Sequence, residues 1–132
     1  MNDNLKFRGK SLENNQWVFG FYANIQDKEN YILQPFALGL FHCLVNPETV
    51  SQYTGVIDVE GNEIYGRDIL EVLSIDSEED KEVLKTLEIY FDEELCSFEF
   101  RNDWEPFNRQ YGNDFRILGN IFDSHELINE GI

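Results

Sequence analysis

The stretch Glu48–Val72, ETVSQYTGVIDVEGNEIYGRDILEV, decides the fold. A break falls at Tyr53-Thr54-Gly55, where Gly55 permits a positive φ. A second falls at Glu60-Gly61-Asn62, flanked by Val56-Ile57-Asp58-Val59 and Glu63-Ile64-Tyr65 as the arms of a compact hairpin-like turn. Gly66 marks a third turn, and Ile69 to Ile75 reads as a further strand. Short apolar runs separated by Gly, Asn and Asp are β punctuation rather than helical periodicity.

The same pattern extends outward. Toward the N-terminus, Asn46-Pro47-Glu48 reads as a turn, and Phe36 to Val45 is an almost unbroken apolar run whose period does not separate a buried strand from a helical turn. Trp17 to Ile25 is the clearest strand, with Trp17, Phe19, Phe21, Ala23 and Ile25 on one face and Val18, Gly20, Tyr22 and Asn24 on the other. Gly20 there suggests a bulge or a close backbone approach. With Tyr31-Ile32-Leu33 this strand forms a hairpin across the polar loop Asp27–Asn30, and Lys6–Lys10 precedes it as a short first strand or arm. Asn14-Asn15 supplies the intervening turn.

Toward the C-terminus, Ser74 to Lys85 reads as the main irregular region, a loop or a short helix. Leu87–Phe91 and Cys96–Phe100 read as a second hairpin around Asp92-Glu93-Glu94, and Phe115–Phe122 as the last strand. Asp123-Ser124-His125-Glu126 has the form of a capping box, with Asp123 as N-cap of a brief C-terminal helix. The expectation is a mainly β, small barrel-like or sandwich single domain over residues 1–132, with short helical segments and an acidic variable segment near 74–94.

Composition limits function. The chain has 26 acidic and 10 basic residues, a net charge of −16, which argues against binding nucleic acid directly through phosphates or lying on an anionic membrane. It favours a basic partner or a cation instead. The two cysteines, Cys43 and Cys96, make no disulfide framework or metal motif and are expected to be free, buried thiols. The opening MNDNLKFRGK lacks a signal peptide's apolar core, and no apolar run is long enough to span a bilayer, so the expected location is cytoplasmic.

Thr49-Val50-Ser51-Gln52-Tyr53-Thr54-Gly55 resembles the YopX family of phage and prophage proteins. The likeness continues through Asp58 to Leu70, with a polar Gly-containing turn followed by Glu-Ile-Tyr. Lys6–Lys10, Trp17–Gly20, Ile117–Phe122 and Glu126-Leu127 are similar to the family's opening and end. One departure stands out: the family's Gly before Asp-Ile is Arg67 here, and Gly66 comes one place earlier. The resemblance implies a mainly β, barrel-like fold and a phage or prophage origin in a bacterial host. It implies no activity and no catalytic residue.

The residues themselves offer little for catalysis. His42 lies in an apolar run and reads as a core histidine, and neither it nor His125 has a ligand-spaced partner. Ser51 and Ser124 lack a nucleophile-elbow context, and no phosphate loop or HExxH occurs. No cofactor, metal site or catalytic residue is therefore expected. Asp76 to Glu94 holds nine acids against Lys81 and Lys85, and Asp76, Glu78, Glu79 and Asp80 form its densest part. These four residues, together with the aromatic loop residues Trp104, Phe107 and Tyr111, are the candidate partner-binding set. Gly55, Gly61 and Gly66 are the candidate structural turns. Asp58, Glu60, Glu63, Arg67 and Asp68 read equally as a polar binding rim or as turn chemistry with a local ion pair.

The expected function is a non-enzymatic accessory protein acting through protein–protein contacts, with self-association through exposed strand edges as a further expectation. Two other readings stay open. One is an acidic mimic of DNA that inhibits a host nucleic-acid-binding or defence protein. The other is a metal-dependent hydrolase or nuclease using the acidic segment.

Overall fold

A computed structural model describes residues 6–36, 39–76, 81–101, 107, 115–124 and 126. Its strands in chain order are β1 (Phe7–Ser11), β2 (Trp17–Ile25), β3 (Glu29–Phe36), β4 (Gly39–Ile57), β5 (Glu63–Tyr65), β6 (Asp68–Asp76), β7 (Lys81–Asp92), β8 (Ser97–Phe100) and β9 (Phe115–Asn120), followed by one short helix, α1 (Ile121–Ser124). The mainly β expectation holds. The strands form two antiparallel sheets, ordered β1-β2-β3-β4-β5 and β8-β7-β6-β9, and β1 also pairs with β4. That extra pairing bends the first sheet into a partial ring rather than a true barrel. The chain divides into two compact units, Met1–Tyr53 and Thr54–Ile132.

In the first unit the two long strands each serve two neighbours. β2 pairs with β1 through Trp17–Gly20 and with β3 through Phe21–Ile25. β4 pairs with β3 over Gly39–Leu44 and with β1 over Val45–Gln52. The switch in β2 occurs at Gly20, where a Cβ would stand 2.2 Å from the Leu33 carbonyl oxygen. The close approach read from the sequence is real, and Gly20 permits it. Phe19, just before the switch, offers its carbonyl to the Gln34 side-chain amide at 2.7 Å.

The turn read at Asn46-Pro47-Glu48 is absorbed into β4 as a bulge. Between Arg8 and Lys10 the pairing jumps from Ser51 to Asn46. The Lys10 amide donates instead to the Thr49 hydroxyl at 2.8 Å, which itself donates to the Asn46 carbonyl at 2.7 Å. Pro47 therefore sits where a strand tolerates a missing N–H. Likewise Tyr53-Thr54-Gly55 does not end the strand. Gly55 adopts φ 87° and β4 continues to Ile57.

In the second unit the core is Val56, Ile64, Leu70, Val72, Ile89, Phe100 and Phe115, with Leu87, Phe98, Phe107 and Ile117 against it. Thr54 in β4 donates its hydroxyl to the Ile64 carbonyl of β5 at 2.8 Å. Within the expected irregular region near 74–85, the described residues 74–76 and 81–85 are instead strand, and 77–80 lie outside the described residues. β6 and β7 pair continuously from Ile69↔Glu88 to Asp76↔Lys81. Asp76 thus stands on a strand position, in register with Lys81, and Glu82 likewise pairs with Ile75.

α1 begins earlier than the capping-box reading placed it. The Asn120 side-chain oxygen accepts from the amides of Phe122 at 3.0 Å and Asp123 at 2.9 Å, so Asn120 is the N-cap. Both cysteines are free as expected, but neither is buried: Cys43 is half-exposed and Cys96 exposed.

Candidate functional site

Where β2 pairs with β3, the first unit has an inner and an outer face, and both carry apolar side chains. Tyr22, Ile32 and Cys43 lie in register on the inner face, where Ile32 is 0% exposed. Phe7 packs on Tyr22 with ring centroids 5.7 Å apart, and Gly9 lies against Val45. A four-stranded partial ring can bury only one of its faces. The outer face carries two cross-strand rows, Phe21–Leu33–His42 and Ala23–Tyr31–Leu44, with Phe19 and Ile25 extending them along β2. Phe19 is 40% exposed, Phe21 42%, Ile25 47% and Leu44 40%. The face whose alternation looked most core-like in the sequence is thus the one left in water. Contiguous exposed apolar surface of this kind is what binding sites are made of, whereas singly exposed apolar residues are ordinary.

Tyr31 and His42 stand at the centre of this face. Their rings meet edge to face, with centroids 5.4 Å apart and planes at 88°. His42 is exposed and is not the core histidine expected from its apolar neighbours, because its register opposite Leu33 turns it outward. A hollow opens on each side of the ring pair. One, of about 260 Å³, is lined by Ala23, Ile25 and Leu33 together with the two rings. The other, of about 440 Å³, is lined by Ser11, Leu12, Glu13, Cys43 and Leu44 with the same rings. Leu12 is held there by its amide, which donates to the Leu44 carbonyl at 3.0 Å, while its side chain is 63% exposed.

Charge beside the two hollows is acidic, whereas Arg8 and Lys10 stand opposite Phe19 and Trp17 farther along the same face of β2. The Tyr31 hydroxyl donates to Glu29 at 2.8 Å, which keeps the phenol protonated and raises its pKa above the ordinary value, with desolvation adding to the effect. Glu29 pairs across the strands with Ile25, so its carboxylate stands on the outer face. Glu13 lines the larger hollow. Neither hollow has a lysine or arginine among its described lining residues.

Sequence reasoning named other residues for the site. Glu78, Glu79, Asp80, Trp104 and Tyr111 lie outside the described residues. Asp76 ends β6 opposite Lys81. Phe107 is half-buried and stacks on Phe115, with centroids 5.3 Å apart and planes at 19°. It also meets Phe98 and Phe100 edge to face, so its ring completes the second unit's core. Of these candidates only Asp76 and Phe107 belong to the described residues. The residues missed, Phe21, Ile25, Tyr31, Leu33, His42 and Leu44, carry one sequence signal: β2 is apolar on both faces, and Gly20 belongs to the face that the backbone approaches.

The polar-rim residues resolve as turn chemistry. Asp58 is 4% exposed. Its carboxylate accepts from the amides of Glu60 and Asn62, each at 2.9 Å, and of Ile117 at 3.0 Å. Gly61 within that turn has φ 85°. At the next turn Asp68 accepts from the Tyr65 amide at 2.8 Å. The left-handed residue there is Arg67, at φ 73°, and not Gly66. Arg67 reaches Glu88, which is 4% exposed and also binds Arg101 at 3.1 Å. The two guanidinium groups lie over the rings of Phe122 and Tyr90. This arginine–glutamate–arginine cluster satisfies a buried carboxylate and ties Arg67's turn to β7.

Among the described residues, no group of three or more His, Cys, Asp or Glu side chains is arranged to hold a metal. Among the same residues, no helix is long and apolar enough to cross a membrane.

The family model described as "YopX protein" matches residues 6–129. The crystal structure of protein EF1440 from Enterococcus faecalis superposes with a TM-score of 0.59 at 17% identity, covering 93% of this chain and 96% of that one. Identity that low shows a shared fold alone. No curated protein matches the chain.

Proposed function

We propose that this chain, which belongs to the YopX family, is a non-enzymatic binding module that acts through protein–protein contacts. The observation that carries the reading is the outer face of β2, β3 and β4, where Phe19, Phe21, Ile25 and Leu44 are each at least 40% exposed. Full burial of such a side chain is worth about 1.5–3 kcal/mol, so the part left in water forgoes roughly 1 kcal/mol for each, which a covering partner would recover. The reading includes a phage or prophage origin and action in the cytoplasm of a bacterial host; both rest on the sequence resemblance. The contact surface differs from the acidic and aromatic segments favoured by sequence alone.

The test is affinity capture from a nuclease-treated bacterial lysate with the wild-type chain and with the Ile25→Ser/Leu44→Ser variant, eluted by a salt gradient. The expected result is a protein retained by the wild type at high salt and lost by the variant at unchanged melting temperature. Equal recovery by both chains, or recovery of none, contradicts the reading.

A further inference from the structure

We infer that the outer face of the first unit takes a basic polypeptide segment bearing two apolar side chains, one for each hollow beside the Tyr31–His42 ring pair. The inference rests on the protein-binding reading above and names the chemistry of the partner.

The ring pair borders two compartments, of about 260 and 440 Å³, each lined by both Tyr31 and His42. A divided apolar surface suits a partner that presents separate anchors, because each side chain is enclosed by ring and aliphatic walls rather than laid on a flat sheet. The smaller compartment is walled by Ala23, Ile25 and Leu33 and has almost no polar lining, so it selects an aliphatic or aromatic side chain. The larger admits a bulkier anchor with a polar neighbour.

Charge selects the flanks of the segment. Glu29 stands beside Tyr31 at one rim and Glu13 lines the other hollow. Two carboxylates with no lysine or arginine among the described lining residues set a negative local field, and the chain's net charge of −16 reinforces it at long range. The same net charge argues against a second copy as the occupant, since two such chains repel as they approach. It argues against nucleic acid for the same reason. A lysine- or arginine-flanked segment is steered in by the field and held by its apolar anchors.

The probe is a fluorescently labelled peptide with two leucines flanked by lysines, measured by anisotropy. Three comparisons accompany it: the same peptide with glutamates for lysines, the same peptide with serines for leucines, and the protein variants. Saturable binding by the wild type is expected. Glu13→Gln/Glu29→Gln should weaken it about tenfold, since each rim pair contributes modestly. Ile25→Ser/Leu44→Ser should weaken it at least as much. Glu93→Gln/Glu94→Gln removes the same charge from exposed positions of the second unit and should change affinity less than twofold. Both altered peptides should fail to bind.

Equal weakening by the Glu93/Glu94 variant would show general attraction to an acidic protein and overturn the inference. Equal binding of the serine peptide would do the same. So would a concentration-dependent dimer in light scattering that Ile25→Ser/Leu44→Ser abolishes, because the occupant would then be a second copy. If lysate capture depends on Ile25 and Leu44 while the lysine peptide does not bind, the partner chemistry fails and the binding-module reading stands. If capture is also independent of those residues, both fail.

Discussion

Asp58 shows how a residue that resembles a site can be scaffold. Its carboxylate accepts three backbone N–H bonds, two within the Glu60–Asn62 turn and one from Ile117 in β9. Three of its roughly four lone-pair directions are thereby taken, and the residue is 4% exposed, so little is left for a ligand. Asp58→Ala would strand those amides, and charge-assisted bonds of this kind contribute about 1.5–3 kcal/mol each before relaxation. A loss of roughly 3 kcal/mol or more in denaturant unfolding is expected, and a loss under about 1 kcal/mol would show that water replaces the carboxylate. Arg67 makes a different point. It occupies φ 73°, where glycine is the favoured residue, and compensates through Glu88. Arg67→Gly and Arg67→Ala both lose the ion pair, but only Ala keeps the strained backbone. Arg67→Gly should therefore be the more stable of the two by about 1 kcal/mol, the reverse of their order at ordinary φ; equal melting curves would contradict the assignment. Tyr31 donates to Glu29, which raises its pKa. The favourable interaction belongs to the protonated phenol, so it is fully present below the ordinary tyrosine pKa and lost as pH rises through the raised one. Glu29→Gln should bring the Tyr31 titration down, as read by a tyrosinate absorbance titration against a Tyr31→Phe blank.

At the scale of elements, β2 and β4 are bent strands that change partner partway along. Gly20 makes this possible in β2 because the Leu33 carbonyl passes 2.2 Å from where a Cβ would be. The obstacle is backbone, which cannot swing aside as a flexible side chain would. Gly20→Ala should cost about 3 kcal/mol, toward the upper end for overpacking, and calorimetry of the two chains measures it. Much of the element order was legible in the sequence: the alternation of Trp17–Ile25 and Cys96–Phe100, the glycine turn at Gly61, and the polar loop after Ile25 all correspond to observed strands and turns. The failures have physical causes. Asn46-Pro47-Glu48 and Tyr53-Thr54-Gly55 have real turn chemistry, but long-range pairing with β1 keeps β4 extended through the first, and one left-handed glycine lets it continue through the second. Asp76 and Glu82 read as part of an irregular stretch because local propensity does not register the long-range pairing of β6 with β7. The cap of α1 shifted from Asp123 to Asn120 because both residue types cap, and only the fold decides which amides are in reach.

At the scale of the whole molecule, the two compact units have different polar logic. The second concentrates its buried charge on structural tasks, with Asp58, Asp68 and Glu88 each bonded to backbone or arginine. The first leaves an apolar face exposed around an aromatic pair, flanked by Glu13 and Glu29. Composition alone favoured the acidic and aromatic segments as contact surfaces, since charge and aromatic content are counted without regard to face. What the sequence could not give was which side of β2 is inside. Its larger apolar residues all share one face, and the natural reading sends them to the core. Gly20, paired with Phe7, and Tyr22, paired with Ile32, mark the true inner side, and that is visible only once strand pairing is known.

The central claim is that the outer face of β2, β3 and β4 is the contact surface. It is tested most directly by methyl NMR cross-saturation in the complex with a partner recovered by capture. The account predicts that saturation from the partner reaches the methyl groups of Ala23, Ile25, Leu33 and Leu44. Saturation confined to the exposed apolar residues of the second unit, Ile57, Val59, Leu95 and Leu118, would contradict it.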